Sequence, residues 1–177
     1  MTNHVMIDLE TLSTANNALI LSIGAVKFAL NGTEMGKAFY VPVNMASAQR
    51  FGLHISADTV RWWMSPERDD ARRDLLTANP VDLVDALDGF AQWLGEEEID
   101  GVWGNGAAFD NVILRSAYAA VGMEAPWPFY KDRCYRTMKA LVPEIPLERV
   151  GVYHNAVDDA RTQAAHLQKI WKKLVQT

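Results

Sequence analysis

Residues 4–10, HVMIDLE, alternate in the way that is typical of a half-buried β-strand. Leu9 and the other odd-numbered residues project to one face, whereas Asp8 and Glu10 project together from the other, about 7 Å apart at their Cα atoms. The first Lys or Arg in the chain is Lys27, and burying two carboxylates without a cation is costly. The pair therefore predicts a divalent-metal site, and the alternative is an edge strand with both acids in solvent.

The pattern of the remaining chain predicts an α/β fold. The predicted strands span residues 4–10, 18–28, 37–43, 99–103 and 129–131. The predicted helices begin at Ser56, Pro66 and Pro80, and further helices span residues 108–121, 138–141 and 155–175. Short connections such as Asn31-Gly32 suit antiparallel turns between the first three strands. This order predicts a mixed five-stranded sheet with helices on both faces.

Length and composition are those of one globular domain, which we expect to span residues 1–177. The chain is 49% hydrophobic and 22% charged, which argues against disorder. No apolar stretch is long enough for a membrane span, and the N-terminus lacks the basic region of a secretion signal. A single cysteine, Cys134, excludes an internal disulfide and a cysteine-based zinc site. These features predict a cytoplasmic protein, in a bacterium or a phage-infected host.

Charge is distributed unevenly along the chain. The net charge is −5, but residues 66–110 carry three basic and twelve acidic side chains, whereas residues 111–177 carry ten basic and six acidic ones. A protein that coats nucleic acid is usually basic overall. We therefore expect any nucleic-acid contact to be local and to come mainly from the C-terminal third. The acidic run is interpreted as solvated helix faces.

Asp110 is a third candidate metal ligand. It follows the predicted strand 99–103 and a turn rich in small residues, Gly104-Asn105-Gly106-Ala107-Ala108-Phe109, at the start of a helix. Glycines in such a turn permit a close backbone approach. The alternative interpretation is a first-turn acid that only complements the helix dipole.

The fourth candidate lies in HNAVDDA, residues 154–160, where two aspartates compete. The apolar stripe of the predicted helix passes beside Asp159, whereas Asp158 falls on a polar face. Asp159 is therefore predicted to point toward the sheet and Asp158 away from it. His154 lies just before the helix, five residues ahead of the inward aspartate, and is a candidate general base.

Three motifs together resemble the DEDDh 3′–5′ exonucleases, which have the DnaQ-like fold of the ribonuclease H-like superfold. Asp8-Leu9-Glu10-Thr11 resembles the first motif, Phe109-Asp110 the end of the second, and His154 with Asp159 the third. The tyrosine subclass would place Tyr at position 155, where this chain has Asn155. The resemblance covers almost the whole chain. It implies a three-strand antiparallel meander followed by two parallel strands.

Two further segments, residues 59–63 and 103–106, are similar to small phage and bacterial proteins of the exodeoxyribonuclease VIII-like group and to related 3′–5′ exoribonucleases. Gly106 departs from this pattern, because many relatives carry Asn three residues before the phenylalanine of the second motif.

The resemblance implies a two-metal phosphodiesterase. Two Mg²⁺ or Mn²⁺ ions would balance the four carboxylates Asp8, Glu10, Asp110 and Asp159, with Asp8 bridging both ions. His154 would take the proton from the attacking water.

It also implies contacts with the end of a nucleic-acid chain. Thr11, Leu12 and Phe109 would hold the terminal nucleotide, and Trp62 or Trp63 would stack on a base. Packing in the core is the alternative for both tryptophans. The basic residues Arg115, Lys131, Arg133 and Arg136 are candidates for phosphate contacts, and an ordinary surface charge is the alternative for most of them.

The predicted function is metal-dependent 3′–5′ hydrolysis of single-stranded nucleic acid or 3′ overhangs, with DNA slightly favoured over RNA and mononucleotides as product. A noncatalytic nucleic-acid-binding module on the same fold is the alternative, although all four acids and His154 are retained. An endonuclease of the ribonuclease H type is a third hypothesis. Dimers are frequent among relatives, so a homodimer is a further expectation, whereas no membrane partner is expected.

Overall fold

The computed structural model describes residues 3–96 and 98–176, and five strands in it form one mixed sheet in the order β3-β2-β1-β4-β5. The strands are β1 (His4–Thr11), β2 (Ile20–Phe28), β3 (Met35–Pro42), β4 (Gly101–Gly104) and β5 (Asp132–Cys134). The first three pair antiparallel, and β4 and β5 add to β1 in parallel. The predicted α/β class is confirmed, with an antiparallel meander and two parallel strands.

Helices cover both faces of this sheet, as predicted. They are α1 (Met45–Arg50), α2 (Ala57–Trp63), α3 (Asp69–Thr77), α4 (Leu83–Leu94), α5 (Asp110–Ala120), α6 (Tyr135–Leu141) and α7 (Ala156–Val175). In the described parts of the chain, no helix is both long and apolar enough to cross a bilayer.

The alternation of β1 separates two cores. Leu9 and the other odd-numbered residues pack in one core with α4 and α5. Met6 lies on the opposite face with Leu167 and Ile170 of α7. The acids at positions 8 and 10 share the face of Met6, so they point toward α7 and α6.

The structure corrects two local predictions and contains one helix that the sequence analysis did not predict. Residues Phe129–Lys131, predicted as a strand, form a 3₁₀ turn after Pro128, because the fixed φ of proline suits the start of a turn. Strand β5 begins only at Asp132, whose side chain accepts a hydrogen bond from Trp127 Nε1. The helix expected from Pro80 begins at Leu83. Helix α1 was not predicted; the Asn44 side chain caps it by accepting two backbone N–H bonds.

Gly24 sets how closely α7 approaches the sheet. It lies on β2 directly opposite Asp8 in the antiparallel register. A Cβ atom at this position would overlap the backbone of Ala156 and Val157, the first residues of α7. The missing side chain therefore lets the N-terminal turn of α7 rest on the sheet next to Asp8.

Candidate functional site

The four predicted carboxylates come together at one end of the sheet. Asp8 and Glu10 project from β1, Asp110 is the first residue of α5, and Asp159 lies in the first turn of α7. All four line one cavity of about 210 Å³, together with His154. The predicted orientation of α7 is confirmed, because Asp159 is buried in this cavity while Asp158 turns away and accepts a bond from the backbone of Val152.

Glu10, Asp110 and Asp159 are buried and Asp8 is partly buried, and the four have few hydrogen-bond partners among the described residues. Asp110 is 2% exposed; its Oδ1 accepts a bond from the backbone N–H of Leu9 at 3.2 Å, and its buried Oδ2 has no partner among the described residues. Asp8 Oδ1 accepts a bond from Gln163 Nε2 at 2.7 Å. Asp159 receives the backbone N–H of His154 at Oδ2 and Arg149 Nη1 at Oδ1, both at 3.0 Å.

Burial raises the pKa values of all four acids, and repulsion within the group adds to this for Asp8 and Glu10. Burial raises the pKa of Asp8 well above its ordinary value, and the charges of Asp110 and Asp159 add to the effect. Burial and then the charge of Asp8 do the same to the pKa of Glu10. Burial also raises the pKa of Asp110 to about 7 and that of Asp159 in the same direction. Four acids at this spacing resist ionisation unless a cation joins them.

His154 stands at the mouth of the cavity in an unusual conformation. Its φ of 65° lies in the left-handed region, and its ring stacks on Tyr153 at 3.7 Å and meets the edge of Trp62 at 5.0 Å. Its Nε2 atom is buried and has no hydrogen-bond partner in the described chain. Burial, with the nearby charges of Arg68 and Arg149, lowers the pKa of His154 to about 4. The imidazole is therefore neutral near pH 7 and able to accept a proton.

The connection that carries His154 is anchored at its start. Residues 142–155 consist of turns and extended backbone between α6 and α7. The Tyr135 hydroxyl and His166 Nδ1 lie 2.6 Å apart, and His166 Nε2 lies 2.9 Å from the carbonyl oxygen of Ile145. Since a carbonyl only accepts, Nε2 donates and Nδ1 accepts from the tyrosine. This buried chain agrees with a structural role for His166.

These residues fit a divalent cation. One ligand atom each from Glu10, His154 and Asp159 lie within 4.8 Å of one another. The unpartnered Oδ2 of Asp110 adds a further oxygen. Hard divalent ions prefer such oxygen-rich donor sets. The cavity thus offers donors that suit a divalent cation, and a positive charge there would offset the repulsion between its acids.

A second cavity of about 460 Å³ adjoins the first and shares Leu9, Glu10 and Phe109 with it. Thr11 and both predicted tryptophans line this second cavity. Its remaining lining residues are Ser13, Thr14, Ser56, Asp58 and Thr59.

The two tryptophans have different environments. Trp63 is 5% exposed and donates its Nε1–H to the Thr11 carbonyl at 2.8 Å, so it belongs to the core as well as to the cavity wall. Trp62 is 40% exposed, with the Arg68 guanidinium 4.2 Å from its ring centroid. Leu12, which was predicted to hold the terminal nucleotide, does not line this second cavity. It lines an apolar groove with Leu21 and Trp63, because it follows the irregular pairing at the end of β1.

The predicted phosphate-contacting residues divide into two groups. Arg136 lines the acidic cavity. Arg115 forms an ion pair with Asp132, and Lys131 forms one with Glu98. Arg133 donates hydrogen bonds to the backbone carbonyls of Tyr130 and Asp132. These three pairings hold β5 and its neighbours in place.

The sequence analysis missed several residues of the cavity wall. Gln163, Lys139, Arg149 and Tyr153 all line it. A signal existed for Gln163, which lies one helical turn after Asp159 and so shares its face. Arg149 and Tyr153 lie on an irregular connection, for which no periodicity exists.

The structure explains why position 106 is glycine, where many relatives carry asparagine. Its φ of 114° is one that side chains rarely adopt, and a Cβ there would lie 3.3 Å from the Arg136 guanidinium. Arg136 fills that space instead and donates to the Asn105 carbonyl oxygen at 2.6 Å.

Comparison with known proteins identifies one family and several solved structures that share the fold of this chain. The model of the 3′–5′ exoribonuclease Rv2179c-like domain matches residues 3–171. No curated protein matches the sequence significantly.

Three solved structures share the fold. Exonuclease I of E. coli with a dT13 oligonucleotide has a TM-score of 0.66 and 13% identity, over 98% of this chain and 42% of that one. The nuclease domain of 3′hExo, a DEDDh family member bound to rAMP, has a TM-score of 0.60 and 15% identity, over 98% and 91%. Exonuclease X with 5′ overhanging duplex DNA has a TM-score of 0.58 and 16% identity, over 98% and 94%. The chain thus spans less than half of exonuclease I.

Proposed function

We propose that this chain, which belongs to the family of 3′–5′ exoribonuclease Rv2179c-like domains, is a metal-dependent exonuclease that removes mononucleotides from 3′ ends. The observation that carries the proposal is the convergence on one cavity of three buried carboxylates, the partly buried Asp8 and the His154 imidazole, whose Nε2 has no partner among the described residues. Membership of the family and the shared fold confirm the predicted relationship to the DEDDh exonucleases. The closer similarity to phage exodeoxyribonuclease VIII-like proteins stays a prediction.

The acids would hold two Mg²⁺ or Mn²⁺ ions. Asp8, Glu10, Asp110 and Asp159 supply oxygen ligands, and their total charge matches that of two divalent cations. Bound ions of this kind activate a water molecule and stabilise the leaving 3′-oxygen. The raised pKa values show that the ionised acids are destabilised in the metal-free protein. Binding of divalent cations would neutralise these charges, so electrostatics should favour metal binding strongly.

His154 is proposed to accept the proton of the attacking water at Nε2. The imidazole is neutral near pH 7, His154 lines the cavity, and its Nε2 has no competing partner among the described residues. Tyr153 stacks on the ring, and the His154 backbone N–H is tied to Asp159. These contacts fix the base relative to one of the metal ligands.

The second cavity is proposed to receive the 3′-terminal nucleoside. Glu10 and Phe109 line both cavities, so a nucleoside there would place its phosphate next to the acids. The exposed ring of Trp62 offers a stacking surface for a base, and Thr11 lies on the wall. Single-stranded ends and 3′ overhangs suit this arrangement because the terminal base must leave any duplex to stack.

The choice between DNA and RNA is part of the test. The sequence analysis predicts a slight preference for DNA, whereas the family is described by exoribonuclease activity. The expected homodimer, the cytoplasmic location and the single domain over residues 1–177 stay predictions as well.

The test is a digestion panel of single- and double-stranded DNA and RNA, labelled at either end, with Mg²⁺, Mn²⁺ or a chelator. We expect stepwise release of mononucleotides from 3′ ends, and complete loss of activity with the chelator. Metal-dependent cleavage of circular single strands would instead support an endonuclease. Strand binding without any hydrolysis would support the noncatalytic module.

A further inference from the structure

Arg149 brings a positive charge into the acidic cavity. Its Nη1 lies 3.0 Å from Asp159 Oδ1, and its guanidinium lies 3.6 Å from the ring centroid of Tyr153, which in turn stacks on His154. Arginine, tyrosine and histidine thus form one continuous stack from the cavity rim to the proposed base. The contact occupies an oxygen of a carboxylate that the proposed function assigns to a metal ion.

Resting on that proposed function, we propose that Arg149 is a displaceable counter-ion with two alternative partners. It neutralises Asp159 in the metal-free protein. Metal binding takes over Asp159 Oδ1 and releases the guanidinium to bind a backbone phosphate of the incoming strand. Arg149 is thereby a positioning residue for substrate that becomes available only in the metal-loaded protein.

The bond between Arg149 and Asp159 is of a kind that breaks readily. It is a single N–H···O contact and not the bidentate pair that strengthens arginine–carboxylate bonds. The Arg149 side chain is 43% exposed although that of Asp159 is 11% exposed, so solvent reaches the pair from the arginine side and screens it. The residue also lies in the 142–155 connection and not in a helix or strand. The other oxygen of Asp159 accepts from the His154 backbone, so this carboxylate keeps its orientation when Arg149 leaves.

The surroundings of Arg149 suit a phosphate. Arg136 and Lys139 line the same cavity, so three cationic side chains share it with the acids. Arginine is the side chain best shaped to bind phosphate oxygens in pairs. The stack on Tyr153 holds the guanidinium at the rim, where the strand would enter.

The first test is calorimetric titration of Mn²⁺ into metal-free wild-type protein, Arg149→Gln and Arg136→Gln. Removing the competing charge should raise the Mn²⁺ affinity of Arg149→Gln by about threefold to fivefold, the equivalent of one partly exposed ion pair. Arg136→Gln is the matched control, because this cation of the same cavity donates its hydrogen bond to a backbone carbonyl and, among the described residues, forms no ion pair with a carboxylate. Its affinity should change less.

Arg149→Lys keeps the charge and should stay near the wild-type Mn²⁺ affinity, which separates competition from an effect on folding. Thermal denaturation of each metal-free variant checks that the fold is intact. Equal or weaker Mn²⁺ binding by a folded Arg149→Gln would overturn the counter-ion role.

The second test measures binding of a single-stranded oligonucleotide with a 3′-terminal phosphorothioate, in saturating Mn²⁺ and at several salt concentrations. Loss of one phosphate contact in Arg149→Gln should reduce the salt-dependence slope of log K by about 0.7. An unchanged slope would overturn the phosphate-binding role. Wild-type protein that binds no Mn²⁺ would overturn the proposed function itself. Wild type that binds Mn²⁺ and digests strands, beside an Arg149→Gln of unaltered affinity, would overturn this inference alone.

Discussion

Strand β1 and helix α7 meet along one interface whose two ends have opposite character. At one end Met6 packs against Leu167 and Ile170, and all three side chains are fully buried. At the other end Asp159 is buried and Asp8 is partly buried, and their charges repel each other. The same strand face and the same helix thus build a core and a charged cavity within a few residues of each other.

The comparison shows that the apolar end of the interface stabilises the fold, whereas the acidic end lowers its stability in order to form a site. Burial of a large apolar side chain stabilises a protein by about 1.5–3 kcal/mol. Burial of an unpaired carboxylate has the opposite sign, and the raised pKa of Asp8 shows that its ionised form is disfavoured in the metal-free fold. The apolar end therefore has to hold the acidic end together until cations bind.

The largest expected effect comes from Asp8→Asn at the acidic end. The amide keeps an oxygen for the Gln163 bond but removes a charged metal ligand, so we expect kcat to fall by about 10³-fold or more. The metal-free variant should also melt at a higher temperature than wild type at pH 8, because it no longer buries that charge. Turnover of a 3′-labelled strand and thermal denaturation measure the two effects.

Leu167→Ala, at the apolar end, is the control for Asp8→Asn, because it should change stability and not turnover. It should lower the free energy of unfolding by about 2–5 kcal/mol through the cavity it leaves. Turnover per folded molecule should stay near that of wild type below the melting transition. A large loss of turnover in folded Leu167→Ala, or a strong destabilisation by Asp8→Asn, would show that the two ends are not separable.

Metal and pH should act on the acidic end next most strongly. The folded-state pKa of Asp110 is about 7, above its unfolded value, so its contribution to stability is complete below the unfolded pKa and is lost as the pH rises through about 7. The depressed pKa of His154 acts in the opposite direction, but only below its unfolded value near 6.5. The metal-free protein should therefore lose stability between pH 6.5 and pH 8.

Mn²⁺ should reverse this trend, because the ionised acids are its ligands. At 100 times its dissociation constant, one bound ion adds about 2.7 kcal/mol of stability. The metal-induced shift in melting temperature should be larger at pH 8 than at pH 6.5, and absent from a matched titration with added Na⁺. A shift that does not depend on pH would contradict the assignment of the raised acids as ligands.

Trp62→Ala should produce the smallest of these effects and sharpen the boundary of the site. Loss of one stacking surface should weaken binding of a single-stranded oligonucleotide by about 1 kcal/mol. Trp62 is partly exposed, so the melting temperature should change little. Trp63→Phe is the contrasting variant: it should lower stability, because the indole N–H bonds to the buried Thr11 carbonyl.

Much of this arrangement was accessible from the sequence because it follows from periodicity. The two-residue period of residues 4–10 predicted the two faces of β1, and the helical stripe beside Asp159 separated it from Asp158. Gly106 was recognised as a departure from the resemblance, although its positive φ was not.

The remaining features depend on contacts between distant segments. The displacement of β5 to Asp132 reflects bonds from Trp127 and Arg115 that no local pattern encodes. Arg149 lies on an irregular connection, so its arrival beside Asp159 follows from the path of the chain and not from spacing. Leu12 continues the first motif in sequence, yet the irregular pairing after Glu10 turns it toward a different groove.

Gly24 gives this protein an indispensable position that carries no functional group. An alanine there would lift the first turn of α7 away from β2 and separate the acids on the two elements. A mutational scan scored by nuclease activity alone would place Gly24 beside the aspartates. Such a scan would mistake a steric requirement at Gly24 for a catalytic role.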